Sequence, residues 1–236
     1  MMLRSPSIQQ CKTMTSEYHI PSSYTRIVAR ELQLPERELA RLLRGTGLPV
    51  SILLPGDETP LSGQQQLQIL DNARLLGGGT DFGLRLGRRL DPSTHGPMGY
   101  LALSSPDLSS ALCALRDFLP VRIPFAQLDL KADTRWLRCC LNIKLPASQA
   151  QRRLLMYCFS SVIQSLVEAV LGRTLREARF QFDFQRPDYH LAYRRYLHSK
   201  VSFSRADNVI LLPAKLAQVA NACGDTESHA IAQAMC

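Results

Sequence analysis

Few residues in this sequence stand at spacings that chemistry would need. Gly77-Gly78-Gly79 ahead of Thr80 suggests a phosphate loop, in which glycines let backbone amides cradle a phosphate. The Lys-Ser/Thr ending and a preceding strand are both missing, so nucleotide binding is not expected there. The histidines are His19, His95, His190, His198 and His229, and no two share a helical face at metal-ligand spacing. His190 and His198 are too far apart to sit on adjacent turns. The G-x-S-x-G elbow of common hydrolases is absent. Cys11, Cys113, Cys139, Cys140, Cys158, Cys223 and Cys236 are odd in number and irregular in spacing, with no C-x-x-C. They read as reduced, mostly buried thiols of a cytoplasmic protein. These residues give no positive sign of catalysis, and the reading is of a non-enzyme with no cofactor and no metal.

Binding chemistry remains. The aromatic and arginine residues of the later segments are candidates to line a ligand pocket: Tyr100, Trp136, Phe180, Phe182 and Tyr189, with Arg138 and Arg179 at its rim. For each aromatic, core packing is the plainer role. The chain carries 28 Lys+Arg against 20 Asp+Glu, a net charge of +8. That balance, mostly arginine, favours an anionic or hydrogen-bonding small molecule over a cation. It also suits an acidic partner such as DNA. However, the basic residues are scattered, without a basic block interleaved with aromatics. The stretch ELQLPERELARLLR could pass for a helix-turn-helix, yet its second helix sets three Leu and two Glu against three Arg, which favours packing.

The elements that must position these residues can be read from periodicity. Phe82, Leu86 and Leu90 recur at helical spacing, with Arg85, Arg88 and Arg89 on another face. His95-Gly96-Pro97 breaks the chain before a small-residue helix, Met98 to Leu103. Ser105 reads as the next N-cap, with Pro106 at the first helical position, and Pro120 as the stop. Earlier, helices are expected after Ser22, after Pro35 and from Gly63 to Leu76, with Val50 to Leu54 as a short extended piece. Past Pro120 the period becomes alternating. Ala126 to Leu145 reads as an antiparallel hairpin turning at Ala132-Asp133-Thr134. Ser148 caps the longest helix, to Leu171, apolar over most of its circumference and so largely buried. Phe180, Phe182 and Phe184 alternate as a strand, a short helix follows at Tyr189, and Val201–Ser204 and Val209–Leu212 complete a sheet. Helices first, then a mainly antiparallel sheet packed with helices, make an α+β fold. No run reads as long and apolar enough to span a bilayer, and no signal peptide is seen.

Several stretches carry a family resemblance: D-F-G-L-R-L-G from Asp81, G-P-M-G-Y from Gly96, S-S-P-D-L-S-S-A-L from Ser104, Tyr189–Tyr196, and V-S-F-S-R-A-D-N-V-I-L-L-P from Val201. Together they resemble the N-terminal regulatory domain of AraC-family transcription regulators of the arabinose-binding-type branch, over most of residues 24–213. The resemblance implies a cytoplasmic sensing domain that responds to a small-molecule effector and pairs as a homodimer. Promoter DNA would be bound by a C-terminal domain with two helix-turn-helix units, absent from this chain. The alternative is a ligand-free dimerisation or interaction module. The expected organisation is a flexible tail at 1–20, the regulatory domain at 21–213, and a linker or incipient helix at 214–236. That tail has helical stripes, Leu216, Val219, Ala220 and Cys223, offered as a dimer contact.

Overall fold

Ser148 begins the longest helix through a reciprocal capping box. Its hydroxyl accepts from the Gln151 amide while the Gln151 side chain returns to the Ser148 amide. The structure is a computed structural model that describes residues 19–236, so most of the expected tail, and Cys11, lie outside the described residues. In chain order the elements are β1 (Ile20–Pro21), α1 (Ser23–Glu31), α2 (Glu36–Leu42), β2 (Pro60–Leu61), α3 (Gly63–Ala73), α4 (Phe82–Arg89), α5 (Pro97–Ser104), α6 (Leu108–Arg122), β3 (Ala126–Ala132), β4 (Trp136–Ile143), α7 (Gln149–Leu171), β5 (Arg179–Gln181), β6 (Lys200–Ser202), β7 (Val209–Pro213) and α8 (Thr226–Met235). The fold is α+β, as its patterning requires.

The main sheet runs β3-β4-β7-β5-β6, antiparallel except for the β5–β6 pair. Its register sets two neighbouring rows on opposite faces. Leu130, Cys139, Ile210, Phe180 and Val201 cross the sheet on the inner face, against the helices. One residue along, Lys131, Arg138, Leu211, Arg179 and Lys200 cross it on the outer face.

α7 lies between the sheet and the helical layer, and it is long and apolar enough to cross a membrane by length and composition, contrary to the sequence expectation. Here 78% of that stretch is buried within the fold, so its apolar surface already has protein neighbours. α4 crosses α7 through Gly83 and Gly87, whose missing side chains let the α7 backbone approach. On α4's other side, the Glu31 carboxylate of α1 accepts from Arg85 at 2.9 Å and Arg89 at 2.8 Å. The candidate helix-turn-helix pair is therefore engaged in packing: α1 buries Val28 and Ala29, and α2 buries Leu42.

Several local expectations are corrected. Asp107, not Ser105, caps α6, accepting from the Ser110 amide at 2.7 Å; the Ser105 hydroxyl instead donates to the Leu101 carbonyl. Pro120 does not stop α6, which runs to Arg122. Pro120 is solvent-exposed, and the Ile123 amide closes the last turn on the Leu119 carbonyl at 2.8 Å. Val50–Leu53 is a 3₁₀ turn rather than an extended piece, pinned by the fully buried Ile52. The stripe from Leu216 to Cys223 is not helical. After a 3₁₀ turn at Ala214–Leu216, the Ala217 and Val219 carbonyls accept the Ser109 and Leu108 amides at the start of α6. Those amides have no partner inside α6, and supplying one outweighs helix formation in the tail. Asn221 adds two donations from its side-chain amide, to the Leu103 and Ser105 carbonyls. Among the six described cysteines only Cys139 and Cys158 are buried, so the thiols are not mostly buried; burial pushes both of these thiols up to about 12.

Candidate functional site

Between the helical layer and the inner face of the hairpin lies a cavity of about 60 Å³ walled mostly by buried side chains. Room for a single water needs roughly 10–15 Å³, so this space has room for about four to six. Its walls come from α1, α3, α4, α6 and α7, with Leu141 of β4 behind them. The lining is almost wholly aliphatic and aromatic. The exceptions cluster where α1 faces the turn between α4 and α5.

There the Tyr24 hydroxyl meets His95 Nδ1 at 2.9 Å, with the rings tilted and 5.8 Å apart. His95 ends a 3₁₀ turn, Pro92–His95, and Gly96 at φ 64° redirects the chain into α5. The glycine thus lets a polar side chain be delivered into an apolar wall. His95 is 5% exposed, and its Nε2 has no well-formed hydrogen-bond partner among the described residues. Arg122, at the end of α6, places its guanidinium 5.8 Å from the centre of the Tyr24 ring. Its Nε is buried and also lacks a partner among the described residues.

Burial pushes the His95 imidazole down to about 4; the nearby Leu90 carbonyl opposes this and Arg122 assists it. Burial raises the Tyr24 phenol, and the Arg122 charge pulls it the other way. At neutral pH the pair is therefore uncharged beside a fixed positive charge. A consequence can be measured. His95 binds its proton more weakly in the folded chain than in the unfolded one. Its contribution is present above about pH 6.5 and is lost as pH falls toward 4, by roughly 3 kcal/mol. His95→Phe, a neutral ring of similar size, should flatten this part of a urea-midpoint profile between pH 7 and pH 4. An unchanged profile would exclude the buried, neutral imidazole.

None of the seven residues proposed from sequence lines this cavity. The structure places them in three groups. Phe180 is fully buried in the inner row of the sheet. Phe182 joins Tyr157, Phe184, Tyr193 and Phe203 in an aromatic cluster, and Tyr189 stacks on Tyr193 at 6.2 Å. Trp136, Arg138 and Arg179 sit on the outer sheet face, where Arg179 lies 4.9 Å above the Trp136 ring. Tyr100, on α5, is 57% exposed and stands apart from both. So Phe182 meets Tyr189 and Trp136 meets Arg179, but the two sets are on opposite faces. Tyr189 and Tyr157 also border a surface groove of about 400 Å³ with Arg74 and Arg153.

The cavity's polar residues, Tyr24, Gln66 and His95, and Arg122 against the Tyr24 ring, went unrecognised in the sequence. The available signal was His95 itself, a lone imidazole before Gly-Pro and flanked by two strongly apolar helices.

Residues 37–221 match the family described as the arabinose-binding domain of AraC transcription regulators, N-terminal. The fold is similar to the crystal structure of the transcriptional regulator CdpR from Pseudomonas aeruginosa, with a TM-score of 0.66 and 16% identity, over 91% of this chain. The chain spans 62% of that structure's length. A search of curated proteins gives no match.

Proposed function

The chain belongs to the family of AraC transcription regulators with an arabinose-binding-type N-terminal domain, and from that premise we propose that it is the sensing domain of such a regulator, with its effector bound in the helix cavity. The observation that carries this reading is the buried apolar cavity ending in Tyr24 and His95. An apolar concavity with a few convergent polar groups is what small-ligand recognition requires. It also touches most of the helices at once, so an occupant that fits one arrangement better than another would shift the balance between them. Promoter contacts are assigned to a helix-turn-helix domain outside these residues, since α1 and α2 are engaged in packing. A homodimer fits the exposed Tyr100 of α5 and the exposed Ile231 and Met235 of α8.

Thermal shift with a metabolite set, alongside light scattering, tests the proposal. A ligand at a hundred times its Kd should raise the melting temperature by about 5–10 °C. Leu90→Phe, which fills part of the cavity, should abolish that rise. If no compound moves the transition while the chain still dimerises, the ligand-free interaction module is the better reading.

A further inference from the structure

We infer that the effector is a small apolar monocarboxylate, its carboxylate held by His95 at the polar end of the helix cavity and by Arg122, which lies against Tyr24 just outside the cavity lining, and its hydrocarbon part among the cavity's leucines; this rests on the reading of that cavity as the effector site.

Two buried donors at the polar end, His95 Nε2 and Arg122 Nε, make no well-formed hydrogen bond among the described residues. When the Tyr24 hydroxyl donates to His95 Nδ1, the neutral ring carries its proton on Nε2, an N–H donor without a well-formed partner. Arg122 offers a second unpartnered buried donor, Nε. A buried donor left unpaired is costly, and an acceptor ligand removes that cost. Arg122 also meets no carboxylate among the described residues.

Arg122 further lines a surface notch of about 400 Å³ with Arg26, Asp57 and Glu58, so its guanidinium borders both solvent and the Tyr24 ring. Neither Asp57 nor Glu58 forms an ion pair with it, so a carboxylate would be the first anionic partner of its guanidinium among the described residues. The fixed positive charge disfavours a cationic ligand. The cavity's small volume, about 60 Å³, limits the hydrocarbon part to a short chain or a single ring.

Isothermal titration of the 236-residue chain with hexanoate and 3-phenylpropanoate, each beside its alcohol and primary amide, decides the matter. The carboxylates should bind at least about tenfold tighter than their neutral partners, as one charged hydrogen bond implies. Arg122→Gln should erase that preference without weakening the neutral analogues, and Arg122→Lys should restore part of it. Circular dichroism checks that each variant folds. If Arg122→Gln does not fold, the comparison of carboxylate with alcohol in the parent chain still decides. Equal binding of carboxylate, alcohol and amide, abolished by Leu90→Phe, overturns the carboxylate and leaves the cavity as the effector site. Carboxylate binding that survives Leu90→Phe but not Arg122→Gln overturns the cavity part and leaves only the notch. No binding of any of the six compounds overturns the inference.

Discussion

Gly99→Ala is expected to destabilise the domain by about 3 kcal/mol or more. The new Cβ would overlap the Pro92 carbonyl oxygen and lie 2.7 Å from its carbon. Both are backbone atoms, so no side-chain rotation relieves the clash, and overpacking of this kind reaches the top of its usual range. α5 would have to move off the Pro92–His95 turn, taking His95 away from Tyr24. Gly87→Ala should be similar in direction, because its Cβ would overlap the Cys158 carbonyl of α7 and lie 2.6 Å from the Ser161 Cβ. Urea denaturation followed by circular dichroism measures both. A Gly99→Ala chain with the parent's midpoint would rule out the close approach of α5 to Pro92. These two residues stand in the G-P-M-G-Y and D-F-G-L-R-L-G stretches, so backbone proximity is a physical reason for glycine at both.

Phe182→Ala should destabilise the domain by about 3–5 kcal/mol. The ring is 2% exposed, stacks on Phe184 with centroids 5.0 Å apart, and meets Tyr157 edge-on at 5.9 Å. Tyr193 and Phe203 complete the cluster, at 6.4 Å and 6.0 Å. Removing the ring leaves a void bounded by rigid aromatics, which collapse poorly around it. Phe182→Leu should cost markedly less, because much of the volume remains. The urea midpoint reads the loss. If Phe182→Ala instead keeps its midpoint and loses only ligand binding, the residue lines a binding site rather than the core.

Much of the fold was legible because it depends on short-range periodicity. Phe82, Leu86 and Leu90 are buried along one side of α4 as their spacing implies, and Arg85 and Arg89 meet Glu31 on another. The hairpin alternation places Leu137, Cys139 and Leu141 inward on β4. Ser148 and Gly172 bound α7, the latter at φ 63°. What escaped is long-range. Tyr24 and His95 are 71 residues apart, and no local pattern couples them. The stretch from Leu216 to Cys223 carries helical spacing, yet it folds into turns because the first amides of α6 need acceptors. Alternation correctly separated Phe180 and Phe182 from Trp136, Arg138 and Arg179. The candidates fall on two faces of one sheet, Phe182 beside Tyr189 on one and Trp136 beside Arg179 on the other.

The outer row Lys131, Arg138, Leu211, Arg179 and Lys200 begins and ends on the sheet's two edge strands. An exposed edge offers unpaired amides and carbonyls to any other strand and is a standing route to aggregation. Here each edge carries a lysine at the end of a row already rich in positive charge. Another copy adding its own edge in this register would extend that row and place like charges across the new junction, which opposes pairing. β6 is also only three residues long, too short to template much of a ladder. The sheet therefore resists lateral growth at both margins, and self-association that keeps the protein in solution is steered toward its helical surfaces.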